Sequence, residues 1–197
     1  MSDKREFFNR LASNWAENGS VEAEKLQRVV QAAEISPGQT ILDAGAGTGV
    51  LVPFLLTVVG PSGRVYALDF APGMVEKMTK RGFPKNVTVI LGDIHQTNFP
   101  DKFFDRVIAN ASFPHFSDQR VALKEIHRIL KKGGTLIVSH PAGREWVNQH
   151  HRQMAQVAED VVFPAPVLAG LLQQAGFVPS YLVDEPEFYL VAGKKAG

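Results

Sequence analysis

The chain has 197 residues, of which 45% are hydrophobic and 21% charged, a composition typical of a globular domain rather than a disordered, collagen-like or coiled-coil chain. It contains no cysteine, which excludes a disulfide framework, a thiolate metal site and a cysteine nucleophile. The formal net charge of +1 gives no bulk attraction to nucleic acid, so such a partner is not expected. Neither a signal-peptide core nor an apolar run long enough to cross a bilayer is present, and we expect a cytoplasmic protein without membrane contact.

Apolar, β-branched runs alternate with amphipathic stretches along the chain. In chain order the pattern predicts helix 21–35, strand 40–43, helix 48–59, strand 64–69, helix 72–80, strands 86–91 and 104–109, helix 117–130, strand 135–139, helix 166–175 and strands 177–183 and 187–192. The alternation favours parallel pairing, whereas the short turn before the final strand requires antiparallel pairing. We therefore predict an α/β fold with a seven-stranded, mostly parallel sheet, helices on both faces and an antiparallel last strand.

A glycine-rich turn follows the first predicted strand and reads Asp43-Ala44-Gly45-Ala46-Gly47-Thr48-Gly49. Glycine lets the backbone turn sharply and approach a ligand closely, and the following helix offers unpaired N–H groups. Asp69 ends the second strand, twenty residues beyond Gly49, where a carboxylate can accept hydrogen bonds from both ribose hydroxyls. The turn and the acid together predict a ligand that contains a nucleoside, bound at the carboxyl ends of the strands.

The glycine spacing does not match the dinucleotide pattern, which requires a third glycine. Counted from Gly45 the sixth position is Val50, and counted from Gly47 it is Val52. Asp43 would also place an anion beside a pyrophosphate, whereas it suits a ligand that carries an ammonium group. A nicotinamide-dependent oxidoreductase is therefore the weaker alternative.

Five segments, in order and at matching spacing, resemble the motifs of class I S-adenosylmethionine (SAM)-dependent methyltransferases. They are Asp43-x-Gly45-x-Gly47-x-Gly49, Leu68-Asp69-Phe70 with Met74, Gly92-Asp93-Ile94, the run from Phe104 to Asn110, and the run from Glu125 to Gly134. The last run is similar to the small-molecule (type 11) branch, which includes ubiquinone/menaquinone-type enzymes. The resemblance covers roughly residues 35–140, and it departs from the family at Ala71, where relatives often carry a serine.

The resemblance implies a Rossmann-like fold, SAM as the methyl donor and S-adenosylhomocysteine as its product. The cofactor contacts that it implies, ordered from the methionine end through the ribose to the adenine, are Asp43, Gly45, Gly47, Gly49 and Asn110, then Asp69, then Phe70, Met74, Asp93 and Ile94. It also implies one methyltransferase domain over residues 1–197. Residues 1–20 would be a lid in which Trp15 or Phe8 closes the site, and residues 140–163 would be an insertion on the substrate side.

Candidate substrate residues follow the fourth and fifth strands. His115 and His140 are candidate general bases, because histidine titrates near neutral pH. If residues 144–151 are helical, Arg144, Asn148 and His151 share one face, and we expect that face to contact the substrate, with Arg144 bound to an anionic or carbonyl group. The histidine spacing does not indicate a metal site.

The leading hypothesis is methyl transfer to a small-molecule acceptor, and three alternatives remain open. They are a tRNA or protein methyltransferase, a non-catalytic SAM-binding module and, less favoured, the nicotinamide enzyme. The segment Asn110-Ala111-Ser112-Phe113 lacks the double proline typical of enzymes that methylate exocyclic amines. The sequence leaves open whether the acceptor is a quinone, catechol, amine or thiol, and whether the protein is a homodimer.

Overall fold

The computed structural model describes residues 2–14 and 20–196. Its helices are α1 Ser2–Asn14, α2 Ser20–Ala32, α3 Val52–Val59, α4 Pro72–Lys80, α5 Gln119–Ile129, α6 Arg144–His151 and α7 Ala165–Gln174. Its strands are β1 Thr40–Ala44, β2 Arg64–Asp69, β3 Val87–Leu91, β4 Phe104–Asn110, β5 Leu130–His140, β6 Phe177–Glu185 and β7 Phe188–Lys195. None of the helices described is long and apolar enough to cross a bilayer.

The strands form one seven-stranded sheet in the order β3-β2-β1-β4-β5-β7-β6. In this order, each pair of neighbouring strands from β3 through β2, β1 and β4 to β5 is parallel. Strand β7 lies between β5 and β6 and is antiparallel to both. This confirms the predicted mostly parallel sheet with an antiparallel last strand. Because β1 lies between β2 and β4, the connections from β1 and β4 leave on opposite sides and open a crevice at the carboxyl ends of these strands.

Helices cover both faces of the sheet, as predicted. Successive side chains of a strand point to opposite faces, and Ile41 and Leu42 accordingly belong to different apolar clusters. One cluster contains the apolar sides of α2 and α3, and the other contains those of α5 and α7. Both residues are fully buried, which fixes the register of β1 and therefore the position of the turn that follows it.

Two element boundaries differ from the prediction for local backbone reasons. Helix α3 begins at Val52 rather than at residue 48, because Gly47 and Gly49 adopt φ values of +56° and +77°, outside the right-handed helical region. Strand β5 already begins at Leu130, because the chain turns directly from α5 into the sheet. Lys131 therefore lies in the strand, where it binds Asp105.

Helix α1 packs against α4 and thereby lies beside the crevice. The Asn9 side-chain oxygen accepts a hydrogen bond of 2.8 Å from the backbone N–H of Gly73, and Lys77 donates to the carbonyl of Ala12. Met74 and Ala71 pack with Ala12 in a small apolar cluster. Trp15, one of the two predicted closing residues, lies outside the described residues.

Candidate active site

A cavity opens at the carboxyl ends of the central parallel strands. Its walls come from the turn after β1, the ends of β2, β3 and β4, and one side of α1. Of the predicted cofactor residues, it brings together Asp43, Gly45, Gly47, Asp69, Phe70, Met74, Asp93, Ile94 and Asn110. His115 also lines it, whereas Gly49 does not. The predicted cofactor residues come from four separate chain segments, and α1 adds a fifth to the wall of the same space.

Asp43 carries an uncompensated carboxylate oxygen in the wall of this cavity. The side chain is buried, and its Oδ2 has no hydrogen-bond partner among the residues that the structure describes. Burial, and the nearby charge of Asp69, raise the pKa of Asp43 to about 7. A buried carboxylate without a partner is costly, and a cationic ligand that reaches it removes much of that cost. Asp43 therefore fits a ligand with an ammonium group.

The three glycines of the turn have three different roles. A Cβ on Gly45 would lie 2.4 Å from the Cβ of Ser112, so only glycine lets β1 and β4 end so close together. A Cβ on Gly49 would lie 2.9 Å from Met78, which makes Gly49 a packing residue beneath the turn. A Cβ on Gly47 would meet nothing within 4 Å, although Gly47 lines the cavity. The space beside Gly47 is therefore open to a ligand.

Asp69 connects the second strand to the glycine turn. Its Oδ2 accepts a hydrogen bond of 2.8 Å from the backbone N–H of Gly47, and its Oδ1 accepts one of 2.9 Å from that of Ala71. Burial raises the pKa of this carboxyl, and the backbone hydrogen bonds act in the opposite direction. Each oxygen keeps a free lone pair, so Asp69 can hold the turn and accept ligand hydroxyls as well.

The other end of the cavity has apolar walls and an acidic edge. Phe70, Met74 and Ile94 form part of the walls, and Met74 and Ile94 are almost fully buried. Asp93 is half-exposed, and its Oδ1 accepts from the backbone and the ring Nδ1 of His95. A flat aromatic ring can pack between these walls while the second oxygen of Asp93 accepts from its edge.

The chain after β4 is strained where it borders the cavity. Ala111 has a φ of +52°, which is uncommon for a residue with a Cβ. Ser112 donates a hydrogen bond of 2.6 Å to the carbonyl of Ala44, and the side chain of Asn110 accepts from Ser139. These two bonds connect β4 to both neighbouring strands and hold this segment in place.

The predicted substrate-facing helix forms, but the structure corrects its orientation. Residues 144–151 are helix α6, yet Arg144 binds Asp184 and Glu145, and Asn148 exchanges two hydrogen bonds with the backbone of Val162. Arg144, Asn148 and His151 do not line the cavity. Arg144 faces the β6–β7 hairpin instead, because the turn at Pro186 packs against Gly143.

The two candidate bases also differ in position. His140 lies in a separate small pocket behind the end of β5, where it accepts a hydrogen bond from Ala142, and it does not line the cavity. Burial, and the charges of His115 and His151, lower the pKa of His140 to about 3. His115 lies in the cavity wall and its Nδ1 is 2.7 Å from Asp160 Oδ2.

The sequence analysis missed several cavity residues. Lys4 and His95 line the cavity, and Asp160 connects Lys4 to His115. His95 had a local signal, since it follows Asp93 by two residues. The Lys4–Asp160 pair had none, because its members are 156 residues apart. In the described ranges, no group of three or more His, Asp or Glu side chains is arranged to hold a metal ion.

Comparison with known proteins shows the family. Residues 42–138, about half of the chain, match the model of a family described as "Methyltransferase domain". The demethylmenaquinone methyltransferase of Geobacillus stearothermophilus is 35% identical over 113 residues, which cover 55% of this chain and 48% of that protein. The chain thus spans about half the length of this relative.

Two solved structures share the whole architecture. A SAM-dependent methyltransferase from Aquifex aeolicus has a TM-score of 0.78 at 24% identity and covers 94% of this chain and 97% of its own. A methyltransferase from Haloferax volcanii, solved in complex with the activator Trm112, has a TM-score of 0.80 at 20% identity and covers 96% and 98%. At these identities the likeness establishes the fold.

The cavity fits SAM, the cofactor of this family, on its own chemistry. The unpartnered oxygen of Asp43 suits the ammonium group of its methionine part, and the open space beside Gly47 admits that part. Asp69 retains acceptors for the ribose hydroxyls. The fold, the cavity and the matched family model agree, and the chain belongs to the class I S-adenosylmethionine-dependent methyltransferases, in the branch defined by this methyltransferase domain.

Proposed function

We propose that this protein transfers a methyl group from SAM to a small-molecule acceptor. When bound, SAM supplies a methyl group on a positively charged sulfur. The observation that carries the proposal is the buried Asp43 oxygen, which has no partner among the described residues and lies in the wall of a cavity that Gly47, with open space beside it, also lines. Neither feature benefits the protein without a ligand, and together they match a ligand with an ammonium group.

The residues around the cavity divide the binding work along the ligand. Asp43 binds the ammonium and Gly45 and Gly47 keep the backbone close to the methionine part. Asp69 binds the ribose while it holds the turn through the Gly47 N–H. Phe70, Met74, Asp93 and Ile94 bind the adenine, and Asn110, at the end of β4, lies beside the methionine part. All five residues line the cavity. Gly49 contributes indirectly, by packing against Met78 beneath the turn.

A small acceptor is supported by what lies at the open side of the cavity. Phe8 of α1 packs edge-on to Phe70 and His115, with ring centroids 5.8 and 5.0 Å apart. Such an aromatic cover limits the access of water to a reaction beneath it, which supports a compact acceptor. The demethylmenaquinone methyltransferase of Geobacillus stearothermophilus acts by its name on a quinone precursor, which supports an apolar ring as the acceptor.

The test is a methyl-transfer assay in which production of S-adenosylhomocysteine is measured with separate catechol, hydroquinone, amine and thiol acceptors. We expect turnover with one acceptor class and loss of turnover in the Asp43→Asn variant. The Asp101→Asn variant, which changes an exposed carboxylate, should keep the activity. Turnover that is unaffected by Asp43→Asn would contradict the assigned binding mode.

A further inference from the structure

Three charged or titratable side chains from distant segments are linked by hydrogen bonds beside the cavity. Lys4 of α1 binds Asp160 Oδ1 at 2.6 Å, and the other oxygen of Asp160 is 2.7 Å from Nδ1 of His115. Asp160 is almost fully buried, and both Lys4 and His115 line the cavity. The part of the structure described here gives His115 Nε2 no hydrogen-bond partner.

The groups around these three side chains determine which nitrogen of His115 can accept a proton. Burial lowers the pKa of His140 and of His151, so both remain neutral. Although burial opposes it, the hydrogen bonds from His115 and Lys4 lower the pKa of Asp160, so this carboxylate is ionised. His115 also interacts electrostatically with Asp69, which acts to lower the pKa of that carboxyl. An ionised Asp160 accepts a hydrogen bond from Nδ1–H of His115, and in the neutral form of the ring this leaves Nε2 as the proton acceptor.

We infer that His115, oriented by Asp160, accepts the hydroxyl proton of an aromatic acceptor while the acceptor oxygen takes the methyl group; this inference rests on the proposed function. The O–H bond breaks and its proton moves to Nε2. The oxygen electron pair forms the new O–CH₃ bond, the S–CH₃ bond breaks, and its electron pair stays on sulfur to give S-adenosylhomocysteine. Solvent removes the proton from His115 after product release.

The choice of an aromatic hydroxyl compound follows from the walls around His115. The ring of Phe8 lies edge-on to His115, and Phe116, which packs against Phe113 at 5.6 Å, lines the same cavity. Aromatic rings favour this kind of contact with another ring. A phenol is mostly neutral in water at neutral pH and is a weak nucleophile until its proton leaves, so a base beside it has a defined task.

Asp160 and Lys4 act as positioning residues. Asp160 fixes the tautomer of His115, and Lys4 holds Asp160 from the N-terminal helix, whose Phe8 covers the same histidine. Packing of α1 against α4 therefore brings the aromatic cover and the cation that secures Asp160 to the site together.

The first test is nitrogen-15 NMR of histidine-labelled protein saturated with S-adenosylhomocysteine, which reads the tautomer of His115 without turnover. We expect the proton on Nδ1 in the neutral wild-type ring. Asp160→Asn should move it to Nε2, because the asparagine amide donates to Nδ1, and Asp160→Glu should restore it. A proton on Nε2 in the wild type overturns the inference.

The second test is binding of 4-nitrophenol to the same complex, because the anion of this probe absorbs at longer wavelength. We expect the ratio of anion to neutral form at pH 6.5 to be at least tenfold higher for the bound probe than for the free probe, and His115→Gln to abolish this difference. His150→Gln, an exposed histidine of α6, should leave it unchanged. A shift that persists in His115→Gln, or absence of probe binding, overturns the inference. If wild-type protein does not bind S-adenosylhomocysteine at all, the proposed function itself has failed.

Discussion

Replacement of Asp43 by asparagine should stabilise the ligand-free protein and weaken SAM binding at the same time. The side chain is only 1% exposed, and its Oδ2 has no partner. A pKa that rises from its ordinary 3.8 to about 7 corresponds to about 4 kcal/mol of unfavourable free energy for the ionised form in the fold. Asparagine has nearly the same shape and no charge, so it removes this cost.

The pH dependence gives the prediction a definite sign. The folded state binds the Asp43 proton more tightly than the unfolded chain does, so the free energy of unfolding of the wild type falls as pH rises from about 4 to about 7 and is level above that. The Asp43→Asn variant lacks this decline. Its advantage over the wild type should therefore approach about 4 kcal/mol at pH 8 and shrink steadily below pH 7.

The assay is thermal unfolding of both proteins without ligand at several pH values. For a domain of this size ~1 kcal/mol changes Tm by roughly 2–4 °C, so the gain at pH 8 should be on the order of 10 °C. The control is Asp101→Asn, which changes an exposed carboxylate paired with Arg128 and should show no increase in Tm that grows with pH.

Calorimetry should show that the affinity of the Asp43→Asn variant for SAM is reduced by about tenfold or more, because a charge-assisted contact is lost. Parallel stability curves for wild type and Asp43→Asn would refute the reasoning.

Three further substitutions test the turn and its acid. Gly47→Ala should abolish measurable S-adenosylhomocysteine binding while its Tm matches that of Gly82→Ala, since both positions have positive φ and open space for a Cβ but only Gly47 lines the cavity. Asp69→Ala should weaken SAM binding at least tenfold and also lower Tm, because it removes the acceptors of two backbone N–H groups. Gly45→Ala should destabilise by more than about 2 kcal/mol in urea unfolding, and adding Ser112→Gly should recover part of it, because the new Cβ would lie 2.4 Å from that of Ser112.

For each of these three substitutions, a different result would contradict the prediction. Tight binding to Gly47→Ala would mean that the ligand does not use the space beside the turn. An unchanged Tm in Asp69→Ala would show that the two backbone hydrogen bonds contribute little to the turn. Equal stability of the Gly45→Ala protein with and without Ser112→Gly would show that the strands separate easily.

The sequence pattern was sufficient to predict the strands of the sheet and their directions, but not the residues at which helices and strands begin. Alternation of strands and helices, together with the short turn near Pro186, predicted parallel strands and an antiparallel β7, because both depend on connection length alone. The starts of α3 and β5 were predicted incorrectly, since they depend on the backbone angles of Gly47 and Gly49 and on how tightly the chain turns after Ile129.

The site divides in the same way. The clustering of the proposed cofactor residues could be predicted because residues such as Asp43 and Asp69 lie at strand ends, and the carboxyl ends of parallel strands meet at one edge. On the proposed acceptor side His115 was named from the sequence, but Lys4 and Asp160 were not, because the contacts between these three residues join remote segments. Arg144 was assigned to the substrate from helical periodicity, which gives the shared face of a helix but not the neighbour that the face meets.

The most direct measurement is calorimetric titration of the purified protein with SAM, S-adenosylhomocysteine and NADH in parallel. We expect micromolar binding of the first two and none of NADH, because the buried Asp43 carboxylate favours an ammonium group and opposes a pyrophosphate. Binding of NADH without binding of SAM or S-adenosylhomocysteine would contradict the assignment of this cavity.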